Sequence, residues 1–399
     1  MSCRSAGLSV QQFTRSHTGA FGRTFIALLG ILLGASMGHR ARAWDAPGHR
    51  MITGVALDAF VCRVDDAAIA FLREPGVRAQ VADQSVVPDR WRGVTSASLA
   101  HVNNPDHYID LEDVEALGIR VREMHPLRHE WVRQLALAQA AQPEPHLQPQ
   151  SIPPVNPATD TAKTAMYPGF LPHAISEQYA RVVSALRVLR ILAAINEPSR
   201  QPQLDMARAN AKVQLGLLSH YVGDAAQPLH TTRHHHGWEG DNPQGYTTDR
   251  RFHARIDGDV LRHHAITEAD IRTQVRRDAN DPTPTPTPTS IPARTPEPWC
   301  RHLRQSEDLD AQNPWTAVLD HILRSHEEVE ALYRLEKSGA LDQAEGRTLI
   351  VERLADGAGM LAALYQAAWT ASEPSARNIS DFRTYDQWPG QEADQSAGQ

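Results

Sequence analysis

The stretch Gly216–Thr232, GLLSHYVGDAAQPLHTT, has the apolar spacing of a helix and contains three residues that can bind a metal ion. His220 and Asp224 are four residues apart, so they lie on one face of the helix that carries them. Pro228 ends that helix, and His230 follows two residues later. Because a helix rises only about 1.5 Å per residue, the three side chains can converge within about 10 Å. Such a pattern is typical of a metal site.

The residue types suit a borderline-soft cation such as zinc. Zinc binds neutral imidazole nitrogen and carboxylate oxygen, and a carboxylate has two oxygens with which it can bridge two ions. A single His-x-x-x-Asp pair is weak evidence, because helices often carry both residues on polar faces. The alternative is a helix end whose histidines have ordinary hydrogen-bond partners. A metal site is therefore predicted only if further ligands occur elsewhere in the chain.

The first 43 residues have the composition of a secretory signal, with five arginines and no acidic residue. The apolar run Phe25–Met37 is 13 residues long, too short to span a bilayer but suited to the core of a signal peptide. Ala41-Arg42-Ala43 supplies a cleavage site, so the mature chain is expected to begin at Trp44. We expect a secreted or periplasmic protein without a membrane anchor; an uncleaved anchor is the alternative.

The 399-residue chain carries 40 Lys and Arg against 47 Asp and Glu, a formal net charge of −7. Removal of the signal arginines makes the mature chain more acidic still. An acidic balance argues against broad electrostatic capture of nucleic acid or of anionic membranes. Bound divalent ions would reverse the sign of the charge locally.

Two cysteines, Cys62 and Cys300, remain after the signal. In an oxidising compartment they can form a bridge, but two cysteines do not make a disulfide framework. The sequence leaves open whether they pair.

Helical periodicity dominates the chain, and alternating strand-like runs bounded by hairpin turns are missing. We predict an all-α fold, a single compact multi-helix domain over residues 44–372. Its main helices are predicted at Gly48–Phe60, Ala174–Ala194, Leu204–Val222, Leu319–Leu335 and Thr348–Ser372.

Two proline-rich insertions interrupt this pattern, Gln142–Pro172 and Asp281–Pro298. Proline lacks the amide donor and favours extended geometry in the preceding residue, so both segments are predicted to be extended surface excursions or disordered loops. Residues 373–399 form a polar tail that is expected to be partly disordered. Three aromatic residues are candidates for docking its first part: Phe382, Tyr385 and Trp388.

Further ligands occur in other segments. The segment WDAPGH carries Trp44 and His49. The freed amino group and the carbonyl of Trp44 can chelate one ion, and His49 can serve as a further ligand of that ion. The segment VVPDRWR supplies Asp89, and HVNNPDHYIDLED supplies His107, with His101 as a rival ligand.

A second His-x-x-x-Asp pair, His253 and Asp257, lies in RRFHARIDGDV. Its members again stand four apart and on one face of a predicted helix. One such pair is weak evidence. Two pairs together with separate ligands and the terminal tryptophan favour a metal cluster.

With these motifs, the chain resembles the zinc-dependent S1/P1 nucleases, which share a fold with bacterial zinc phospholipases C. The resemblance covers residues 44–260, and LSHYVGDAAQPLH is its most specific motif. The motifs occur in this order: WDAPGH, the Asp89 segment, PDHYIDL, LGLLSHYVGDAAQPLH and FHARID.

This resemblance implies a cluster of three Zn²⁺ ions. The first ion would be held by Asp89, His107, His220 and Asp224. The second would be held by His230, His253 and Asp257, and the third by the Trp44 amine and carbonyl, His49 and Asp224. Asp89 and Asp224 would act in catalysis through the ions, with Asp224 as the bridging carboxylate.

The activity implied by the resemblance is hydrolysis of single-stranded DNA and RNA to 5′-phosphorylated products, with dephosphorylation of 3′-nucleotides. Tyr108 matches the aromatic on which this family stacks a base, and Asp110 matches the residue that hydrogen-bonds the base edge. Stacking tolerates any sequence, which suits unpaired strands. The alternative for Tyr108 is a core tyrosine.

One segment departs from the family. Between His230 and His253 the fungal and plant enzymes carry Gly-Gly-Asn, whereas this chain has HHHGWEGDNPQGYTTDRR. The run His234–His236 is expected to be solvated, and Asp45 is expected to be a first-turn acid. Arg92 and Arg250 lie near ligand segments and are candidates for meeting a phosphate, because a planar guanidinium suits that group.

Two alternative functions remain. A phospholipase C-like lipid phosphodiesterase would use the same fold, although the spacing of Trp44 and His49 and the identity of Asp257 favour a nuclease. A non-catalytic zinc-binding protein would need neither an open coordination position nor an aromatic rim. No stable protein partner is implied.

Overall fold

The computed structural model describes four parts of the chain: residues 44–141, 160–278, 300 and 309–386. Within these parts the chain is all-α, as predicted, and only two isolated β-bridges occur, Ile109 with Gly169 and His235 with Gly237. In the same parts, no helix combines the length and the hydropathy needed to cross a membrane. The predicted signal peptide and the insertion Asp281–Pro298 lie outside the described residues.

The α-helices share a common core and are joined mostly by short turns. Those before residue 200 are α1 Ala46–Arg63, α2 Val77–Gln84, α3 Val87–Arg92, α4 Ala97–Asn103, α5 Leu111–Ala116, α6 Arg128–Ala140 and α7 Leu171–Ile195. The next are α8 Gln201–Ala226, α9 Phe252–Ala254, α10 Val260–His263, α11 Glu268–Asp278, α12 Trp315–His326, α13 Val329–Ser338, α14 Ala344–Ala371 and α15 Ala376–Tyr385.

Several tighter turns connect these helices. The 3₁₀ turns are Ala67–Arg73, Asn104–His107, Val121–Glu123, Pro198–Arg200, Pro228–His230 and Ala340–Asp342. A π-helical turn, Arg255–Asp259, joins α9 to α10.

Helix α8 lies at the centre of the fold, where α1, α2, α7 and α14 pack against it. The residues at its end, Leu218–Ala226, are all buried, so its polar residues there face the protein interior. A helix that is apolar on one side only can keep its polar residues in water, but this one cannot. The fold therefore buries His220 and Asp224 among neighbouring helices.

A disulfide joins Cys62 at the end of α1 to Cys300. The Nε of the neighbouring Arg63 donates to the Cys300 carbonyl over 2.6 Å. The pairing that the sequence left open is thus present.

Two predicted boundaries are wrong. The insertion Gln142–Pro172 extends too far, because α7 already begins at Leu171 and carries Pro172 in its first turn, where no amide donor is needed. The predicted helix Leu319–Leu335 is two helices, α12 and α13. The buried positions Ser325 and Val329 keep helical spacing across the break, so periodicity alone did not show it.

The predicted tail is more ordered than expected at its start. Helix α15 begins with a capping box at Ser375 and runs to Tyr385. Phe382 packs against the core, as predicted, but Tyr385 is 86% exposed and does not dock. Trp388 lies outside the described residues.

Candidate metal centre

Eight buried histidine and aspartate side chains come together around the end of α8. They form three groups, in each of which the potential ligand atoms lie within 4.8 Å of one another. The groups are His49, Asp89 and His220; His107, His220 and Asp224; and His230, His253 and Asp257. Every histidine and aspartate predicted to bind metal belongs to at least one group.

The end of α8 presents the residues of the opening stretch as predicted. The Nε2 of His220 and the Oδ2 of Asp224 lie 3.3 Å apart, one helical turn from each other. Pro228 begins the 3₁₀ turn that follows α8, and this turn brings His230 back toward the helix. The predicted convergence is confirmed for these side chains.

Asp224 lies between several imidazoles. Its Oδ1 is 3.3 Å from the Nε2 of His49, and its Oδ2 is 3.1 Å from the Nδ1 of His107. The two carboxylate oxygens thus face different rings, an arrangement that suits a carboxylate shared by two ions.

His49 reaches this cluster because Gly223 leaves room for it. A Cβ at Gly223 would lie 2.8 Å from the His49 Nδ1, too close for a side chain of any other type. The preceding Trp44 has a fully buried side chain that packs beneath Gly48. The predicted terminal ligands of Trp44, its amine and carbonyl, are not tested, since the chain continues before this residue.

Asp45 has a different place from the one predicted. It precedes α1 instead of lying in its first turn, and its backbone N–H donates to the Asp257 carbonyl over 2.9 Å. Its carboxylate accepts from Arg262 on α10 over 2.8 Å. The segment before α1 is thereby attached to the helical segment that carries Asp257.

The His107 segment is tied to the exit of α8. The backbone N–H of Ile109 donates to the His230 carbonyl over 2.9 Å, and the His230 Nδ1 donates to the His107 carbonyl. Gly169 packs against the backbone of this segment. Only glycine fits there, because a Cβ at this position would lie 2.1 Å from the Tyr108 carbonyl oxygen. The rival residue His101 is exposed, its Nδ1 contacts the Ala162 carbonyl, and it belongs to none of the three groups.

The second His-x-x-x-Asp pair also lies on one face, but through a π-helical turn. The Nε2 of His253 is 3.4 Å from the Oδ2 of Asp257 and 2.9 Å from the Nε2 of His230. These three side chains form one compact group.

Burial sets the protonation of the cluster. It lowers the pKa of His220 and of His230 to about 3, and it lowers the pKa of His49, His107 and His253 well below the usual range. These rings are therefore neutral at pH 7, the form in which imidazole binds metal. Burial also raises the pKa values of Asp224 and Asp257 well above the usual range.

The donor set fits a divalent cation. The buried Oδ1 of Asp224 and Oδ2 of Asp257 have no hydrogen-bond partner among the described residues, although each faces an imidazole nitrogen. His220 donates its outer Nδ1 to the Ser85 carbonyl over 2.7 Å and turns its Nε2 toward the cluster. Neutral imidazoles and unpartnered carboxylate oxygens at such depth are costly without a cation, and a bound ion would stabilise both.

Asp89 groups differently from the predicted set. Its potential ligand atom lies with those of His49 and His220, whereas His107 groups with His220 and Asp224. Arg92, one turn further along α3, brings its Nη1 to 3.7 Å from the Asp89 Oδ1. The Arg92 side chain is 21% exposed, so a guanidinium lies between the buried cluster and solvent.

Tyr108, Asp110 and the histidine run meet at the edge of the cluster. The rings of Tyr108 and His235 have centroids 6.3 Å apart, and the His235 Nδ1 is 3.8 Å from the Oδ1 of Asp110. Burial, followed by the charges of neighbouring acidic residues, raises the pKa of Asp110 well above its usual range. The His235 ring centroid lies 6.0 Å from that of His253, so His235 connects the partly buried Tyr108 and the buried Asp110 with the His230 group.

The prediction of a solvated run His234–His236 is wrong. His234 is buried and stacks on Trp238, with ring centroids 4.0 Å apart. His236 is partly buried, and its ring centroid lies 5.7 Å from that of His253. These histidines are shielded from solvent because they pack against the rings of Trp238 and His253. By contrast, the candidate Arg250 is exposed.

Three supporting contacts were not foreseen from the sequence. They come from Gln227, which donates to Asp257; from Asn103, whose Nδ2 is 3.3 Å from the His107 Nε2; and from the Ser85 carbonyl. The amides occur within or beside the quoted motifs and could have been considered. A backbone carbonyl such as that of Ser85 leaves no signal in side-chain patterns.

No protein-family model matches this chain, and a search of curated proteins found no match.

Proposed function

We propose that this chain is a zinc-dependent phosphodiesterase, a nuclease that hydrolyses single-stranded DNA and RNA to 5′-phosphorylated products and also acts on 3′-nucleotides. The observation that carries the proposal is the set of three buried His/Asp groups, of which two share His220, while His230 of the third lies 4.0 Å from Asp224. Clustered divalent ions supply a hydroxide at neutral pH, neutralise the nonbridging phosphate oxygens and stabilise the leaving oxygen.

Zinc is the proposed metal because it accepts imidazole nitrogens and carboxylate oxygens, and because the ligand motifs resemble those of zinc-dependent enzymes. Three Zn²⁺ ions are proposed. One would be held by Asp89, His107, His220 and Asp224, one by His230, His253 and Asp257, and one by Trp44, His49 and Asp224. The contacts of Asp224 with His49 on one oxygen and His107 on the other support its role as the shared ligand.

The chain's own residues would bind and orient a phosphodiester at the edge of this cluster. Arg92 would contact a nonbridging phosphate oxygen; its guanidinium, which lies beside Asp89 and is partly exposed, supports this role. Tyr108 would stack a base, and Asp110 would hydrogen-bond the base edge. His235 adjoins both residues and would form another wall of the same subsite.

Single-stranded substrates fit the charge of the chain. With a net charge of −7, the protein cannot rely on a broad basic surface to hold a duplex. Stacking is worth about 1–3 kcal/mol per base and requires an unpaired base. Binding would therefore depend on the ions and on the aromatic subsite.

Secretion or export to the periplasm is part of the proposal. The disulfide between Cys62 and Cys300 supports it, because such bonds persist in oxidising compartments. Cleavage after Ala43 would free the amino group of Trp44 as a ligand.

A substrate panel with and without a chelator tests the proposal. We expect hydrolysis of single-stranded DNA, RNA and 3′-nucleotides, loss of activity with the chelator, and recovery with zinc. Rapid hydrolysis of phosphatidylcholine with none of single-stranded DNA would replace the nuclease with a phospholipase. Bound zinc without activity on any phosphodiester would indicate a non-catalytic zinc-binding protein.

A further inference from the structure

Gln227 joins α8 to the turn that carries His230. Its side chain is fully buried, and both of its polar atoms are used. The Nε2 donates to the Oδ1 of Asp257 over 2.7 Å, and the Oε1 accepts from the backbone N–H of Leu229 over 2.6 Å. The backbone carbonyl of Gln227 also accepts from the His230 N–H over 3.0 Å. Gln227 thus forms hydrogen bonds with two members of the His230, His253 and Asp257 group: the carboxylate of Asp257 and the backbone of His230.

The contact distinguishes the two oxygens of Asp257. Its Oδ1 is occupied by the Gln227 amide, whereas its Oδ2 has no hydrogen-bond partner among the described residues. The Oδ2 lies 3.4 Å from the His253 Nε2, inside the group. Only one oxygen of this carboxylate therefore faces the place where a cation would be held.

We infer that Gln227 is a positioning residue for this metal group: it holds Asp257 so that a divalent ion is bound through Oδ2 alone, and it fixes His230 on the adjoining turn. The inference rests on the metal-binding part of the proposed function and is independent of the substrate. Residues that hold ligands in this way commonly change metal affinity about 10- to 100-fold when replaced.

Glutamine is suited to this position because it has a donor and an acceptor on one planar group. Glutamate keeps the acceptor for the Leu229 N–H but has no donor for Asp257 when it is ionised. Leucine keeps the approximate size and loses both. Gln227→Glu and Gln227→Leu therefore separate the support of Asp257 from the capping of the turn.

Gln178 on α7 provides a matched control. It is a buried glutamine whose Nε2 donates to the Oε1 of Gln214 over 2.7 Å, and it belongs to none of the metal groups. Gln178→Leu should lower stability, as removal of a buried hydrogen bond does, without changing the metal group. A change confined to the Gln227 variants would then not be a general effect of lost stability.

The test is metal titration of the full-length protein with Zn²⁺, together with absorption spectra of the Co²⁺-substituted form. We expect affinity for one ion to fall about 10- to 100-fold in both Gln227 variants, with an altered cobalt spectrum, and neither change in Gln178→Leu. Wild-type affinity and spectrum in a folded Gln227 variant would overturn the inference. A wild-type protein that binds no metal would overturn the proposed function and this inference together.

A measurement on the wild type avoids dependence on variants that do not fold. A crystal structure of the zinc-loaded protein should show an ion bound by the Oδ2 of Asp257, with the Oδ1 still accepting from Gln227. An ion bound through both oxygens, or a Gln227 amide turned away from Asp257, would contradict the inference even if the protein binds zinc.

Discussion

The Nε2 of His49 lies 3.3 Å from the Oδ1 of Asp224, although the two residues come from different helices, α1 and α8. The other oxygen of Asp224 faces His107 and His220. A single buried carboxylate therefore connects the start of the described chain to the central helix. Asp224 is therefore the carboxylate that the proposed metal centre would share between ions.

Replacement of Asp224 should disrupt more than one metal position. Asp224→Asn replaces one carboxylate oxygen by an NH₂ group, which cannot bind a cation. The substitution also removes the negative charge that faces the imidazoles. We expect loss of at least one ion and a decrease in phosphodiesterase activity of about 100-fold or more. The control is Asp205→Asn, an exposed position on the same helix, which should retain wild-type metal content. Equal metal content in both variants would contradict the role of Asp224.

Gly223 should be required for the approach of His49. A Cβ at this position would lie 2.8 Å from the His49 Nδ1, so Gly223→Ala forces the ring to move. We expect the free energy of unfolding, measured by denaturant titration in a chelator, to fall by about 1–3 kcal/mol.

The same substitution in a His49→Ala background supplies the control. With the ring removed, the added methyl group has space and its cost should largely disappear. An equal cost in both backgrounds would show that Gly223→Ala acts through another contact.

The sequence predicted the all-α class from apolar spacing, and it predicted the proximity within each His-x-x-x-Asp pair from helical spacing. His220 with Asp224, and His253 with Asp257, are placed by helical geometry alone. The proximity of His49 and His107 to these pairs depends on tertiary structure. It was predicted only from the resemblance of the motifs to a known family. The structure brings all of these side chains together.

Other features could not be obtained from local patterns. The break between α12 and α13 falls where buried positions keep a helical period, and the inward placement of His234 depends on Trp238. The role of Asp45 depends on Arg262, which is distant in sequence. Such features are decided by tertiary partners, which single-residue propensity does not specify.

Tyr108 should determine the binding of a single-stranded substrate. Tyr108→Ala removes the ring on which a base is proposed to stack, so we expect KM to rise about 5- to 150-fold, corresponding to about 1–3 kcal/mol. Tyr108→Phe retains the ring and should behave nearly as the wild type. Steady-state kinetics on a short single-stranded oligonucleotide measure both. An unchanged KM in Tyr108→Ala, or an equal rise in Tyr108→Phe, would contradict stacking.

His173 should make stability depend on pH. It is buried among Trp131, Phe170 and Trp315, and burial lowers its pKa to about 4. The unfolded chain, with a pKa near 6.5, binds more protons between pH 6.5 and pH 4. The contribution of neutral His173 to the free energy of unfolding is therefore complete above pH 6.5. It is lost as the pH falls from 6.5 to 4.

The variant His173→Leu measures this contribution. Between pH 6.5 and pH 5, its free energy of unfolding should change less than that of the wild type, by up to about 2 kcal/mol. His129→Leu, at an exposed position on α6, should follow the wild type. Identical pH profiles for the wild type and His173→Leu would contradict the prediction.

The zinc content of the purified, processed protein tests the central claim most directly. Elemental analysis after removal of loosely bound metal should find close to three zinc ions per chain, with the content falling in Asp224→Asn but not in Asp205→Asn. No bound zinc, or a single ion unaffected by Asp224→Asn, would contradict the proposed metal centre.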